Sequence, residues 1–385
     1  MSEKSKDFAQ SPPRVYIKTF GCQMNDRDSE ALLGLFLEKG YSASETSDDA
    51  DVVFINTCSV REHAEDRAIS YAGTFKGKDI IIGLIGCMAR NRGEELAKRM
   101  PHIDLICGPA SFAKIPAYIE QIQKEKIRII DLEDGLRDEE MYKAAFRMEP
   151  DHAQIVISTG CSNFCSYCVV PYVRGKLRLR KPQDIIDEVK RNVELGIKKI
   201  TLLGQNVNDY FFRGQKTEDR KQKDMSFVDL LQMVDDIDGL EEISFITSQP
   251  RNTSIELFEV MAKSSKIKKH LHLPFQSGSN RILEMMNRGY TREQYLQLVQ
   301  NYKKIVNGTL STDVIVGFPT ETDDDFFQTK DIIEEVGFKY AYIFKYSPRL
   351  RAKSAKLDDD VPEKAKAKRH KILLDMQKEI SLSKK

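Results

Sequence analysis

Three cysteines within eight residues carry the most specific chemical signal in this chain; they are Cys161, Cys165 and Cys168, in the spacing CxxxCxxC. Three thiolates suit an iron–sulfur cube in which one iron has no protein ligand and stays open to a bound molecule. A structural zinc site normally has four protein ligands at other spacings. The spacing therefore favours a 4Fe-4S cluster, with zinc or ordinary buried cysteines as the alternatives.

Three further cysteines occupy equivalent places in the first part of the chain. Cys22, Cys58 and Cys87 each follow a short apolar run that is typical of a buried strand. The carboxyl ends of parallel strands share one edge of an open sheet, where ligand sites form. One interpretation is a second cluster with a vacant iron, and the other is chance, because cysteine is commonly buried. Cys107 also ends such a run and is a rival ligand.

The elements around the second trio alternate in the order of a doubly wound α/β domain, a parallel sheet with helices on both faces. Strands are predicted at 14–19, 51–56, 79–85, 102–106 and 127–132. The spacing of apolar residues predicts helices at 25–39, 61–75 and 112–123. An acidic stretch without clear periodicity follows. We expect a disordered tail over 1–13, an N-terminal domain over 14–133 and a linker over 134–150.

The second part of the chain predicts a partial barrel. Strand-like runs lie at 154–158, 199–203, 242–247, 270–273, 311–316 and 341–346, and amphipathic helices follow most of them. Their spacing is that of βα units, and six units are fewer than the eight that close a full barrel. We therefore predict a partial (βα)6 barrel over 151–360, with the CxxxCxxC loop after its first strand, and a C-terminal helix over 361–385.

Composition excludes several classes of protein. Of the 385 residues, 41% are hydrophobic and 31% are charged, which excludes a disordered chain and a polytopic membrane protein. The longest apolar run, 80–89, has about half the length that a helix needs to cross a bilayer. Seven cysteines without a secretory signal argue for reduced thiols, so we expect a cytoplasmic protein without membrane association.

A basic run follows the cysteine loop. The net charge of the whole chain is only +1, so nucleic-acid binding would depend on a local patch of this kind. The run holds five basic residues within eight positions: Arg174, Lys176, Arg178, Arg180 and Lys181. Lysine and arginine neutralise the phosphates of RNA, although many charge runs serve only as solvated surface. The run is a candidate RNA contact.

The CxxxCxxC loop, with Tyr167 before its last cysteine, resembles the radical S-adenosylmethionine (radical SAM) superfamily. The resemblance implies a partial βα barrel and an open iron that chelates S-adenosylmethionine. One-electron reduction would then split this molecule to give a 5′-deoxyadenosyl radical, so that the cofactor carries the difficult chemistry. The resemblance also implies that Tyr167 contacts the adenine; packing within the loop explains an aromatic residue there equally well.

Nearly the whole chain resembles the radical SAM methylthiotransferases. The run 19–25, with Asn56-Thr57-Cys58 and Gly86-Cys87, resembles the signature of their N-terminal domain, and it selects Cys22, Cys58 and Cys87 over Cys107. The runs 203–208, 271–279, 286–288 and 312–319 are similar to the MiaB-type branch, which modifies isopentenyladenosine in tRNA.

This resemblance implies a tRNA-modifying enzyme with two 4Fe-4S clusters. It would replace the C2 hydrogen of N6-isopentenyladenosine, next to the anticodon, with a methylthio group. One S-adenosylmethionine would methylate sulfur on the second cluster and another would supply the radical, so the two centres must face each other. A side-chain base cannot usefully deprotonate such an aromatic carbon. The expected partners are an isopentenylated tRNA and a one-electron reductant such as flavodoxin or ferredoxin, with the enzyme acting as a monomer.

Candidate cofactor contacts follow the predicted barrel strands; they are Gly204, Gln205, Ser277, Gly278 and Gly317. The ends of these strands form the catalytic face of such a barrel. Glycine allows a ligand to approach the backbone closely, although glycine also serves ordinary turns.

The chain departs from the family pattern at a few places. It ends at Lys385 without room for the β-barrel TRAM domain that usually follows, so we expect that domain to be absent, through truncation or in a short form. Gln249 stands where the family commonly has histidine. Two alternative functions therefore stay open. One is a sister methylthiotransferase that acts on threonylcarbamoyl-adenosine or a ribosomal-protein aspartate. The other is a noncatalytic iron–sulfur protein that binds RNA.

Overall fold

The structure, a computed structural model, describes residues 12–60, 62–134, 141–142, 146–214, 224–246 and 248–383. Much of the predicted tail (1–11) and parts of the predicted linker (135–140 and 143–145) lie outside the described residues. The chain divides into two compact units, Met1–Met148 and Glu149–Lys385. Among the helices of the described ranges, none combines the length and apolar character that a bilayer crossing requires.

The first unit alternates strands and helices. Its strands are β1 (Arg14–Phe20), β2 (Ser42–Ala43), β3 (Val52–Thr57), β4 (Ile81–Gly86), β5 (Leu105–Cys107) and β6 (Ile129–Asp131). Its helices are α1 (Gln23–Glu38), α2 (Glu62–Gly73), α3 (Cys87–Arg99) and α4 (Ile115–Glu125), the last preceded by a 3-10 turn (Pro109–Lys114). All strands pair in parallel, in the spatial order β2-β1-β3-β4-β5-β6.

Helices cover both faces of this sheet because alternate side chains of a strand point to opposite faces. On one face, Val53 and Ile55 of β3 belong to the same apolar cluster as Ala68 of α2. On the other face, Phe54 of β3 contacts Phe36 of α1, with ring centroids 5.4 Å apart. The predicted doubly wound parallel domain is confirmed. The two-residue strand β2 was not predicted, because so short a strand shows no alternation.

The second unit contains ten strands and eight helices within the described residues. Its strands are β7 (His152–Val156), β8 (Ser158–Thr159), β9 (Arg178–Leu179), β10 (Lys199–Leu203), β11 (Phe211–Phe212), β12 (Met225–Ser226), β13 (Glu242–Ile246), β14 (His270–His272), β15 (Thr309–Val316) and β16 (Tyr340–Lys345). Its helices are α5 (Val170–Val173), α6 (Pro182–Glu194), α7 (Phe227–Asp235), α8 (Ile255–Lys263), α9 (Asn280–Met285), α10 (Arg292–Ile305), α11 (Asp323–Val336) and α12 (Glu363–Ser383). Short 3-10 turns occur at Val207–Asp209, Pro250–Asn252 and Lys353–Lys356.

Six of these strands form the wall of a partial barrel. β7, β10 and β13 pair in parallel, and β14, β15 and β16 form a second parallel set. A parallel bridge between Ile243 and Ile267 links the two sets. The six strands therefore lie side by side in chain order, which confirms the predicted six-stranded partial barrel. One continuous apolar cluster, which includes Ile200, Leu230 and Ile333, packs the helices onto this wall.

The face of the wall that points away from the helices is polar. His152 Nε2 lies 2.9 Å from Thr201 Oγ1, and the Thr201 hydroxyl lies 2.6 Å from Ser244 Oγ on the next strand. Farther along, His272 Nε2 lies 3.4 Å from a carboxylate oxygen of Asp313. A barrel interior lined in this way suits a polar substrate better than a packed apolar core would.

Candidate metal centres

Cys22, Cys58 and Cys87 lie at the carboxyl edge of the sheet in the first unit. Cys22 caps α1 directly after β1, Cys58 follows β3, and Cys87 begins α3 after β4. The strand order reverses between β1 and β3, and ligands of open α/β sheets bind at such a switch point. A hydrogen bond with Cys22 makes the largest contribution to the raised pKa of the Cys58 thiol, and burial makes the next largest. The neighbouring Cys87 raises this pKa further. The structure thus makes the three predicted thiols neighbours.

Two buried amides join the loops that carry this trio. Cys22 Sγ donates to Asn25 Oδ1 over 3.3 Å, and Asn25 Nδ2 donates to Asn56 Oδ1 over 3.0 Å. Asn56 Nδ2 in turn donates to the backbone carbonyl of Asn25 over 2.9 Å and to Ser29 Oγ over 2.9 Å. Both asparagines are fully buried. Sequence patterns did not assign them a role, although Asn25 and Asn56 stand inside the quoted N-terminal signature.

Cys107 has different surroundings from the trio. It is buried at the end of β5, and its thiol donates to the carbonyl of Gly108 over 3.4 Å. Burial raises the pKa of this thiol, and the carboxylate of Asp131 raises it further. Cys22 and Cys87 are the cysteines that raise the pKa of the Cys58 thiol. Their proximity to Cys58 favours this trio over Cys107 as the set of ligands.

The CxxxCxxC loop of the second unit begins after β8 at a glycine that no other residue can replace without strain. Gly160 has a φ of 69°, and a Cβ atom there would lie 2.3 Å from the carbonyl oxygen of Lys176. The backbone N–H of Cys161 donates to the carbonyl of Gly175 over 3.1 Å, which holds the loop against the same segment. Cys165 is 8% exposed, whereas Cys161 and Cys168 are half-buried.

The chemistry of both trios fits a metal cluster. Burial raises the pKa of Cys161, and burial together with the Cys165 thiolate raises the pKa of Cys168 to about 12. Metal binding removes this penalty because a coordinated thiol is deprotonated outright. Within the described ranges, no three His, Cys, Asp or Glu side chains surround a single ion position. The thiolates of a four-iron cube each bind a different iron atom, so a cluster does not require such convergence.

A buried arginine that sequence patterns did not single out contacts the loop. Arg288 Nη1 donates to Cys165 Sγ over 3.4 Å and to the hydroxyl of Tyr167 over 3.3 Å. The preceding residue, Asn287, donates through Nδ2 to the carbonyls of Asn163 and Phe164, over 3.2 Å and 3.1 Å. Both residues belong to the run 286–288, which the family resemblance had marked without a role.

The candidate cofactor contacts fall into two groups. Gly204, Gln205 and Tyr167 are half-buried, and Gly204 and Gln205 directly follow β10. Ser277 is fully buried, and a Cβ atom at Gly278 would lie 2.2 Å from the carbonyl oxygen of Gln328 in α11. Packing against that helix therefore accounts for a glycine at this position.

Gly317 likewise has a partner within the protein, since its N–H donates to Glu321 Oε2 over 2.7 Å. Burial raises the pKa of Glu321 to about 7, and the adjacent Arg369, whose Nη1 lies 2.7 Å from the same oxygen, opposes that rise. These contacts join the loop after β15 to α12.

The five basic residues after the loop differ in exposure. Lys176 and Lys181 are exposed, and Arg174 and Arg178 are half-buried. Arg180 is only 3% exposed, because Nη1 donates to the carbonyl of Val156 over 2.8 Å and pairs with Glu188 over 2.6 Å. Its guanidinium joins β7 to α6 and is not presented to a phosphate. The other four residues stay candidates for RNA contact.

Replacing Gly160 with alanine is expected to disrupt the cysteine loop. The left-handed conformation costs a residue with a side chain about 1–3 kcal/mol, and the overlap with the Lys176 carbonyl adds to that cost. We expect the free energy of unfolding to fall by more than about 3 kcal/mol and the bound iron to fall with it. Denaturant titration and iron analysis measure these changes.

Gly175 provides the matched control. It has a φ of 78°, but no atom lies within 4 Å of the Cβ that alanine would add. Gly175→Ala should therefore cost only about 1 kcal/mol and keep its iron. Equal effects of the two substitutions would contradict the steric explanation.

Two families match the two parts of the chain. Residues 155–333 match the Radical SAM superfamily, and residues 14–108 match the Uncharacterized protein family UPF0004. A tRNA-2-methylthio-N(6)-dimethylallyladenosine synthase from Desulforamulus reducens is 41% identical over 399 residues, covering 99% of this chain and 85% of that protein. A protein of the same name from Clostridium novyi is 44% identical over 375 residues, covering 95% of this chain and 81% of its own length.

Two solved structures have a similar fold. The radical S-adenosylmethionine methyltransferase TsrM from Kitasatospora setae aligns with a TM-score of 0.58 at 12% identity, covering 87% of this chain and 72% of that chain. The cobalamin-dependent S-adenosylmethionine radical enzyme OxsB aligns with a TM-score of 0.56 at 12% identity, covering 96% and 56%. At these identities the likeness concerns the fold alone.

Proposed function

We propose, because this chain belongs to the family of the tRNA-2-methylthio-N(6)-dimethylallyladenosine synthases, that it adds a methylthio group to C2 of N6-isopentenyladenosine next to the tRNA anticodon. Relatives with that name are 41% and 44% identical to it over nearly its whole length, which confirms the resemblance seen in the motifs. Members of this family are radical SAM enzymes, and this chain is one of them. The observation that carries the substrate assignment is this similarity, which extends across both units.

Each cysteine trio would hold one 4Fe-4S cluster. Cys161, Cys165 and Cys168 would bind the cluster that receives S-adenosylmethionine, and the trio of the first unit would bind the auxiliary cluster. When bound, these cofactors supply a carbon-centred radical and a methylated sulfur donor. The donor sets support this assignment, because the pKa is raised for the thiol of Cys58 in the first unit and for the thiols of Cys161 and Cys168 in the loop, and coordination to iron would remove the cost of ionising them.

Other residues position the cysteine loops or are proposed to bind S-adenosylmethionine. The Asn25 and Asn56 amides hold the loops of Cys22 and Cys58 in register. The half-buried residues Tyr167, Gly204 and Gln205 are the contacts that we propose for S-adenosylmethionine. The buried residues Ser277, Gly278 and Gly317 would shape the backbone beneath it.

The basic run is the proposed contact for the tRNA backbone. Lys176 and Lys181 are exposed, and Arg174 and Arg178 lie beside them in the sequence. Neutralising phosphates makes binding salt-dependent. The polar inner wall of the barrel, which includes His272 and Asp313, offers hydrogen-bonding groups to a base.

A one-electron donor such as flavodoxin or ferredoxin is the reductant that this chemistry needs. We place the enzyme in the cytoplasm, where tRNA and such donors occur, and we propose that it acts as a monomer. A noncatalytic role is less well supported, because both thiol trios are complete.

Mass analysis of tRNA nucleosides from cells that lack the gene tests the proposal. The methylthio mark should disappear and isopentenyladenosine should accumulate, because the step before this reaction is intact. The wild-type gene and a Cys107→Ala variant should restore the mark, whereas a Cys161→Ala variant should not. An unchanged profile rejects the proposal. Loss of a mark on threonylcarbamoyl-adenosine or on a ribosomal-protein aspartate would instead identify a sister methylthiotransferase.

A further inference from the structure

Arg288 places a buried positive charge beside the cysteine loop. The residue is only 6% exposed. Its Nη1 atom lies within hydrogen-bond distance of two groups in the loop, the Cys165 thiol at 3.4 Å and the Tyr167 hydroxyl at 3.3 Å. Arginine stays protonated at every pH at which proteins fold, so the charge is permanent.

The guanidinium is held by partners other than the thiol. Nη2 donates to the carbonyl of Pro274 over 2.9 Å, and Nε donates to the hydroxyl of Tyr290 over 3.3 Å. Because all three nitrogens of the planar group have partners, its position does not depend on the contact with Cys165. The charge is therefore in place before any metal binds.

Reduction by one electron adds a negative charge to an iron–sulfur site. A fixed cation nearby stabilises the reduced form more than the oxidised form, and the effect is larger where water is excluded. Hydrogen bonds to the sulfurs and the local net charge are among the factors that set the reduction potential of such clusters. We propose that Arg288 raises the reduction potential of the cluster held by Cys161, Cys165 and Cys168. This inference rests on the proposed function, which makes these cysteines cluster ligands and supplies a one-electron donor.

Arg251 offers a matched comparison at the same loop. Its Nη2 donates to Asn163 Oδ1 over 2.8 Å, but the residue is exposed. Asn163 also donates to the carboxylate of Asp209 over 2.7 Å, which places an opposite charge at the same point. Water and salt screen exposed charges, so Arg251 should have little influence on the potential.

The test is a redox titration of the loop cluster alone, followed by electron paramagnetic resonance. The parent protein carries Cys22→Ala, Cys58→Ala and Cys87→Ala, so only the loop cluster is reconstituted. In R288M and R288Q we expect the equilibrium constant for one-electron reduction to fall at least tenfold, a shift of about 59 mV to lower potential. R288K keeps the charge without the planar fork and should lie between these variants and the parent, and R251M should shift by less than half as much.

Several results would overturn the inference. They are an unchanged potential in R288M and R288Q, a shift no larger than that of R251M, or a failure of both neutral variants to bind iron, which would make Arg288 a structural residue. If the parent protein binds no iron at the loop, the ligand assignment of the proposed function falls, and this inference falls with it. Iron binding by the parent protein thus tests the ligand assignment, and the reduction potential of the Arg288 variants separately tests the effect of this arginine.

Discussion

Replacing Cys161, Cys165 and Cys168 together with alanine is expected to lower the iron content of the reconstituted protein from about eight atoms per chain to about four. The reason is that the loop trio and the trio of the first unit each hold a separate cube. Replacing Cys22, Cys58 and Cys87 should have the same effect, and replacing all six cysteines should leave no bound iron. Iron and acid-labile sulfide analysis after anaerobic reconstitution measures the change.

Cys107→Ala is the control for this count. The Cys107 thiol is buried and donates a hydrogen bond to the carbonyl of Gly108, so the variant should keep about eight iron atoms. Zinc in place of iron, or a loss of iron in Cys107→Ala equal to that in a trio variant, would contradict the assignment of ligands.

The two trios are expected to control different products. With dithionite and S-adenosylmethionine, the variant that lacks Cys22, Cys58 and Cys87 should still form 5′-deoxyadenosine but should give no methylthio product on isopentenylated tRNA. The variant that lacks the loop trio should form neither product. The difference follows because radical formation needs only the loop centre, whereas sulfur transfer needs both.

Liquid chromatography with mass detection of both products from the same reaction measures this split. Cys107→Ala again serves as the control and should form both products at the wild-type level. Methylthio product from the variant without the first trio would show that its cysteines do not supply the sulfur centre. Absence of 5′-deoxyadenosine in the same variant would show that the two units are not chemically separable.

Tertiary contacts also changed how two signals in the sequence are interpreted. Arg180 stands within a basic run, yet its pairing with Glu188 and its burial give it a role in joining β7 to α6. Gly278 follows a barrel strand, yet the close approach of Gln328 accounts for it. The two observations have one cause, since a pattern of residue types does not reveal which group packs against a given side chain.

Local patterns in the sequence were enough to determine the fold class of both units. The period of apolar residues reports which face of a strand or helix is buried, and this is a short-range property. The CxxxCxxC loop could also be predicted from the local sequence, because the spacing of its three cysteines alone brings their thiols together. The first trio required more, because its members lie on different strands; the resemblance to a family and the parallel order of the strands selected them.

Only the tertiary structure identified the groups that surround the two trios. Asn25 and Asn56 are 31 residues apart in the chain, and Arg288 is 123 residues from Cys165. Contacts at such separations depend on how strands and loops pack, which no local period records. The chemistry of the CxxxCxxC loop could therefore be predicted from cysteine spacing, whereas the electrostatic surroundings of both trios were decided by the packing of distant segments.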